Sequence, residues 1–586
     1  MIRPQANRLR EEIDLSGFWQ FDVDPEKKGQ DIGWPSGFSS GKAVAVPASF
    51  NEQFQAEDFP EVDIKNYMGT VWYQKRFFVP AGWAGRRIYL HVGAASYHAK
   101  VWVNGKFLGE HKGGFFPFQF DATDAAGTGE ENLLVISLNG ELDEHTLPVG
   151  LPAGPMTGSY PPVCFDYFPY GGIHRPVILQ ATAKNFIDDV SVKTEIEATT
   201  GKVHCQVAAG GGDAVRISIA DAPETAVELP VKAGLAEGHI TVDNARLWCP
   251  KDPHLYRLRV ELLAGGQAVD EYTLAVGIRT IRVEGDKLLL NGKPVFLRGT
   301  GKHEDFPILG KGLCRPQIVK DYALLRWLGA NAFRCVHYPY SDEMMDMADR
   351  EGMLVVGEVP AVGLDWKVLT PQLLEVHKEF IRKTIDKDKN RPSVIMWCVA
   401  NEPMDLQSND IYREPTPEVE GYFREVCRHA RSLDDRPVTI ADCTRRGEKI
   451  LQHCDVVSLN RYYGWYHLPA RLDEGLDALS KELDRYYDLL KKPILLSEFG
   501  ADSVAGLHFD PPELWTEEFQ AKMIEETIKV AETKPYLVGT LIWSFADFKT
   551  AQVIWRVVCN RKGIFTRDRQ PKLAAHRVRD LWKNKR

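Results

Sequence analysis

Pro392-Ser393-Val394-Ile395-Met396-Trp397-Cys398-Val399-Ala400-Asn401-Glu402-Pro403 is the stretch that decides the fold. Val394 to Ala400 is a continuous apolar run, too short for a buried helix and rich in β-branched and aromatic residues, so it reads as a strand buried on both faces. The run stops at Asn401-Glu402-Pro403. Pro403 cannot donate to a ladder and biases Glu402 toward an extended backbone, so the strand delivers an amide and a carboxylate to its C-terminal rim. Pro493-Ile494-Leu495-Leu496-Ser497 repeats the pattern and ends at Glu498-Phe499-Gly500. One such glutamate fits a salt-bridged strand end as well as a catalytic group. Two of them, each closing a buried strand, predict a carboxylate pair at the mouth of a barrel.

Around these two stretches, strands and helices alternate from residue 278 to 586. The expected strands are Val295 to Arg298, Ala332 to Cys335, Leu354 to Val356, Val394 to Ala400, Val438 to Ala441, Val456 to Leu459, Ile494 to Ser497 and Leu541 to Trp543. Helical patterns lie between them at Ile318 to Leu328, Pro371 to Lys389, Glu418 to Leu433 and Leu479 to Leu490. This predicts a C-terminal (β/α)8 TIM barrel, whose chemistry sits on the loops at the strand C-termini.

Upstream the text changes. Residues 1–181 are short alternating segments such as Val71 to Val79 and Ala99 to Val103, the latter closing on Asn104-Gly105, a strong hairpin signal. They predict an N-terminal β-sandwich, jelly-roll and sugar-binding-like, with an aromatic, turn-rich end at Asp166 to Pro176. Residues 182–277, with strands at Val190 to Val192, Val203 to Val207, Val215 to Ile219 and Leu255 to Leu263, fit an immunoglobulin-like β-sandwich acting as a spacer.

Composition narrows the partners. A chain of 586 residues with 44% hydrophobic and 26% charged residues is globular and multidomain. The 14 tryptophans lean toward a sugar ligand. A net charge of −9 with no basic stripe argues against nucleic acid, while a local basic pocket for an acidic ligand stays open. Met1 to Asp14 carries no apolar signal segment and no long apolar run follows, so a cytoplasmic location without membrane contact is expected. Ten scattered cysteines without CxxC spacing predict free thiols, and no metal or cofactor is expected.

Glycosidic hydrolysis needs one carboxylic acid to protonate the leaving oxygen and one carboxylate to meet the oxocarbenium-like carbon. Glu402 after the fourth strand and Glu498 after the seventh are suited to those roles if their environments separate their pKa values. Asn401 can bond a sugar hydroxyl, Tyr462 can orient Glu498, and Trp543 offers a platform for a sugar ring. Alone, His303 and His337 read as satisfied structural histidines, the Tyr462 to Tyr466 aromatics as a barrel cap, and Lys562 as a solvated lysine. Metal-assisted hydrolysis finds no HExxH spacing, and a non-catalytic sugar-binding barrel would have no use for both glutamates.

Leu15-Ser16-Gly17-Phe18-Trp19, Ala400 to Pro403, Asn460-Arg461-Tyr462-Tyr463-Gly464-Trp465-Tyr466, Ser497 to Asp502, Trp543 to Phe548 and Asn560 to Lys572 together resemble the β-glucuronidases of glycoside hydrolase family 2. The likeness spans essentially the whole chain and is weakest in the middle sandwich. It implies a retaining double displacement with Glu402 as acid/base and Glu498 as nucleophile, their carboxyls about 5–5.5 Å apart. It implies that Asn560 and Lys562 read the C6 carboxylate of the sugar, for which an ammonium and an amide are suited. Asp166 and His337 would contact hydroxyls, Asn460, Tyr466 and Arg556 would complete the carboxylate and ring contacts, and Tyr462 would support the nucleophile. The expected substrate is a small-molecule or oligosaccharide glucuronide; the likeness implies a homo-oligomer, a tetramer or dimer. A galacturonide is the alternative, since the Asn560–Lys562 pair reads the acid and not C4; a galactoside would leave Lys562 unpaired. The short Val362 to Val368 segment, where many gut bacterial relatives carry a long insertion, predicts an open aglycone side favouring oligosaccharides or larger conjugates over small drug-like glucuronides.

Overall fold

The computed structural model of the chain describes residues 2–150, 158–406, 408 and 410–583. In the first sandwich a six-stranded antiparallel sheet, running Lys42–Val46, Gly17–Val23, Thr70–Val79, Glu130–Asn139, His98–Val103 and Lys106–Lys112, faces a four-stranded one of Glu11–Asp14, Val177–Thr182, Arg87–Val92 and Phe118–Asp121. Alternation puts Phe21, Tyr73, Ile88, Leu90, Val101 and Ile136 into the shared core. Asn104 and Gly105 both have positive φ, 50° and 77°, as a two-residue hairpin of that hand requires. The second sandwich pairs a three-stranded sheet (Phe186–Glu197, Thr200–Gly210, Leu235–Val242) with a four-stranded one (Ala222–Pro230, Ala214–Ile219, Tyr256–Ala264, Gln267–Val276) around Val203, Val215, Leu258 and Val260.

Eight parallel strands then close into a barrel: Leu297–Lys302, Ala332–Cys335, Leu354–Glu358, Val394–Asn401, Val438–Asp442, Val457–Asn460, Ile494–Glu498 and Leu537–Ile542. The first pairs with the last, Gly299 opposite Leu541, which leaves no edge. Helices including Arg315–Leu328, Asp342–Glu351, Pro371–Asp388, Pro417–Leu433, Leu472–Leu490 and Glu517–Ala531 form the outer layer. Several begin at a threonine whose hydroxyl accepts a backbone N–H, as Thr370 does from Leu373 and Thr516 from Phe519.

The first and last barrel strands sit differently from the sequence expectation. The first starts at Leu297 and runs to Lys302, because residues Lys293–Pro294 pair instead in a small sheet with Lys287–Leu290. The last begins at Leu537, four residues ahead of the expected start, and ends at Ile542, so Trp543 already belongs to the rim. Among the described residues all ten cysteines are free. No described helix is long and apolar enough to cross a membrane.

Candidate active site

The fourth strand is buried along its whole length from Val394 to Asn401 and ends beneath the barrel mouth. Glu402 there has φ +51°, in the left-handed region. The extended backbone expected ahead of Pro403 is therefore not adopted. The Glu402 N–H is drawn instead to the Ala441 carbonyl on the neighbouring strand, at 2.8 Å, and that tertiary bond overrides the local preference.

Glu402 and Glu498 occupy contrasting surroundings. Among the described residues Glu402 takes one hydrogen bond, from Asn460 Nδ2 at 2.9 Å. Burial first, and then the neighbouring charge of Glu498, push its carboxyl up to about 7. Glu498 is 3% exposed and accepts from Arg334 Nη1 at 2.8 Å and from the Tyr462 hydroxyl at 2.7 Å. Burial raises Glu498 too, but the Arg334 guanidinium and the Tyr462 hydroxyl pull against it. The Tyr462 hydroxyl itself is pushed up by burial and by Glu498, so it stays a donor. The carboxyl with only an amide beside it suits proton donation, and the one with a guanidinium and a phenol suits remaining ionised.

Arg334 organises the floor. Besides Glu498 its guanidinium donates to Asn401 Oδ1 at 2.6 Å and to both oxygens of Glu358. Its side chain is 1% exposed and that of Glu358 is fully buried. Burial would raise Glu358, yet Arg334 and then His337 hold it below the usual carboxylate range. His337 Nδ1 lies 2.7 Å from Glu358 Oε1, and since a carboxylate only accepts, Nδ1 carries the proton. Burial keeps that imidazole neutral, leaving Nε2 as an acceptor. The His337 ring stacks on Trp543 at 5.1 Å. Asn460 also donates to Asn401 Oδ1 at 3.2 Å and accepts from Ser497 at 2.7 Å. Among the described residues both side-chain bonds to Asn401 fall on Oδ1, which leaves its NH2 end to a ligand.

A second cluster lies beyond Glu498. Lys562 is 1% exposed, not solvated as a lone lysine reads. Its ammonium pairs with Asp502 and donates to the Tyr466 hydroxyl at 2.7 Å. Arg556 donates to the same hydroxyl at 2.9 Å and grips Asp166 at 2.6 and 3.1 Å. Asn560 Nδ2 donates to Asp166 Oδ2 at 2.8 Å. Burial raises Asp502, but Lys562 and Arg556 bring it below its ordinary value. All twelve residues singled out in the sequence thus fall into these two connected groups, Asp166 arriving from the first sandwich. Missed were Arg334, Glu358, Ser497 and Asp502. An arginine inside the apolar strand Ala332–Cys335 was a usable signal, since a buried charge demands partners. Asp502 lay within a quoted motif without a role. His303 is buried beside the site, Nδ1 3.1 Å from the Tyr338 hydroxyl. Among the described residues no group of His, Cys, Asp or Glu is arranged to hold a metal.

A barrel carrying paired glutamates on its fourth and seventh strands, behind two sandwiches, defines a glycoside hydrolase. The family models agree along the chain: "Glycosyl hydrolases family 2, sugar binding domain" over residues 13–183, "Glycosyl hydrolases family 2" over 185–279 and "Glycosyl hydrolases family 2, TIM barrel domain" over 281–586. The chain belongs to glycosyl hydrolase family 2. It is 40% identical to a beta-glucuronidase of Paenibacillus borealis over 606 aligned residues, covering 99% of this chain and 98% of that one. It is 37% identical to the Homo sapiens beta-glucuronidase, covering 100% of this chain and 92% of that one. Among solved structures, the Ruminococcus gnavus β-glucuronidase in complex with D-glucuronic acid superposes with a TM-score of 0.91 at 37% identity, covering 99% of each chain.

Proposed function

We propose that this protein hydrolyses β-D-glucuronides from their non-reducing end by a retaining double displacement. Glu402 protonates the glycosidic oxygen while Glu498 attacks the anomeric carbon; Glu402, now ionised, then draws a proton from water that releases the sugar. Its carboxyl, raised to about 7, is suited to give and take that proton near neutrality. Tyr462 and Arg334 hold the Glu498 oxygens in line. Asn401, Asn460, His337 and Asp166 take sugar hydroxyls, and Trp543 supports the ring.

The observation that carries the uronate reading is the donor count at Asn560 and Lys562. An ammonium has three N–H groups, and Asp502 and Tyr466 occupy two. The Asn560 amide has two, of which Asp166 takes one. Among the described residues one donor remains unused on each, the number a C6 carboxylate accepts as a paired contact. Asp502 keeps the ammonium paired whatever the sugar carries, so the expectation that a galactoside would leave Lys562 unpaired does not hold; what a neutral hydroxymethyl forgoes is the charge-assisted bond to the remaining N–H. The names of the relatives point the same way, each being called a β-glucuronidase.

The third-strand loop supports an open aglycone side: it is short, Val362, Leu364 and Trp366 are buried, and the helix starts at Pro371. Oligosaccharide or other large glucuronides fit that opening. A cytoplasmic homo-oligomer acting without a cofactor completes the reading. The test compares kcat/KM on p-nitrophenyl β-D-glucuronide, β-D-galacturonide and β-D-galactoside, with the anomer first released followed by proton NMR. Leading activity on the glucuronide with β-glucuronate appearing first is expected. A galacturonide lead would reassign the C4 pocket, a galactoside lead would remove the role of Asn560 and Lys562, and an inverted product would remove the nucleophile.

A further inference from the structure

Lys311 lies between the first barrel strand, ending at Lys302, and the helix that begins at Arg315. It is 7% exposed. Its ammonium sits 3.8 Å from the centroid of the Tyr338 ring and 4.5 Å from that of Tyr167, with Phe115 at 5.8 Å. Tyr338 belongs to the rim beyond the second barrel strand, whereas Phe115 and Tyr167 come from the first sandwich. The cage is packed: Phe115 stacks on Tyr338 at 4.5 Å, and Tyr167 meets Tyr338 edge-on at 5.5 Å. Among the described residues this ammonium forms no ion pair. The nearby acids are engaged elsewhere, Glu304 with Ser341 and Arg175, and Asp305 with Arg567.

Burying a lysine without a carboxylate is costly, and a methionine would fill the same space more favourably. Burial accordingly pulls the Lys311 ammonium down to about 7, against the opposing pull of Asp305 and Glu304. What the charge contributes is attraction to the rings, strong where water is excluded. Both rings lead straight into the site. Tyr167 follows Asp166, the residue that Arg556 and Asn560 hold, and its ring faces that of His337 at 6.3 Å. Tyr338 follows His337.

We propose that Lys311 is a positioning residue, its ammonium clamped between Tyr167 and Tyr338 so that the Asp166–Tyr167 segment of the first sandwich is locked against the His337–Tyr338 rim of the barrel. It acts through those rings on the two sugar-binding side chains and touches no substrate. The inference rests on the proposed sugar-binding role of Asp166.

The test measures kcat and KM on p-nitrophenyl β-D-glucuronide at about pH 6, where the ammonium is charged. Lys311→Met is expected to raise KM about tenfold while kcat falls less than about threefold, the loss of a desolvated cation–π clamp appearing in binding. Lys311→Arg keeps a cation that stacks on aromatic rings and is expected to hold KM within about threefold of the parent. In an Asp166→Ala background Lys311→Met should raise KM by clearly less than the tenfold it costs the parent, the remainder acting through His337. A parental KM in Lys311→Met beside a raised KM in Asp166→Ala overturns the clamp, as does an Arg variant that fails like the Met one. A parental KM in Asp166→Ala would overturn the role of Asp166, and the clamp with it. If Lys311→Met does not accumulate folded, Tyr167→Leu removes the nearer sandwich ring of the cage, and an unchanged KM there overturns the proposal equally.

Discussion

Replacing Lys562 by methionine keeps an unbranched side chain, one atom shorter, and removes its charge. The expected loss has two parts. In binding, one charge-assisted bond to the uronate disappears, about 1.5–3 kcal/mol, so kcat/KM on the glucuronide should fall roughly tenfold to a hundredfold. In folding, the side chain of Asp502 is fully buried and loses its main partner. Stranding one half of a buried pair costs about 3–5 kcal/mol. The lower end applies, because Asp502 keeps the Arg561 N–H at 2.8 Å and Arg556 at 3.5 Å. Adding Asp502→Asn removes the stranded charge while retaining an oxygen for the Arg561 N–H. The double variant should therefore recover most of the lost melting midpoint and recover none of the glucuronide activity. The assay sets kcat/KM on p-nitrophenyl β-D-glucuronide beside that on the β-D-glucoside, with melting followed by circular dichroism. A single variant within about threefold of the parent, or equal losses on both glycosides, would refute the reading of the carboxylate by Lys562.

Glu498→Gln should abolish turnover of every glycoside, and substantial residual hydrolysis would remove it from the nucleophile position. Glu402→Gln should cost poor leaving groups far more than activated aryl ones, and an equal loss on both would contradict its role as acid. Because the folded carboxyl of Glu402 is raised to about 7 and must be protonated to act, kcat/KM on an alkyl glucuronide should decline as pH rises through that value. The decline should vanish in Glu402→Gln, and its survival there would assign it to another group. Arg334→Lys offers a point charge unable to span Glu498, Glu358 and Asn401 together, so kcat should drop more than about tenfold with KM little changed. A KM-led loss would place Arg334 in binding instead.

The middle of the barrel was legible because its strands are unbroken apolar runs, as from Val394 to Ala400. The seam where it closes was not. The first strand contains Gly299 and Gly301, and the last contains Gly539, weak strand formers whose presence is explained only by their neighbours. A Cβ on Gly299 would lie 1.9 Å from the Ala332 carbonyl oxygen, and one on Gly539 2.5 Å from the Leu297 Cβ. Close approach between strands dictates glycine at these positions, and local pattern cannot display a tertiary contact. The site divides similarly. Strand-end residues such as Asn401, Glu402 and Glu498 announce themselves by interrupting apolar text. Arg334 and Asp502 could be understood only once their partners from other strands and loops were in place, and the backbone of Glu402 likewise answers to Ala441 rather than to Pro403.

Asp166 and Arg556 stand 390 positions apart in the chain and meet at a single salt bridge. Recombination that exchanged the barrel for that of a relative would carry both glutamates, Asn560 and Lys562 intact, yet would leave Arg556 facing whatever residue the resident sandwich supplied. With Asp166 taking a sugar hydroxyl as proposed, the heritable unit of sugar recognition is wider than the hydrolytic machinery. On that proposal, sugar preference would change by point mutation in the first sandwich while the barrel's carboxylate pair was left alone.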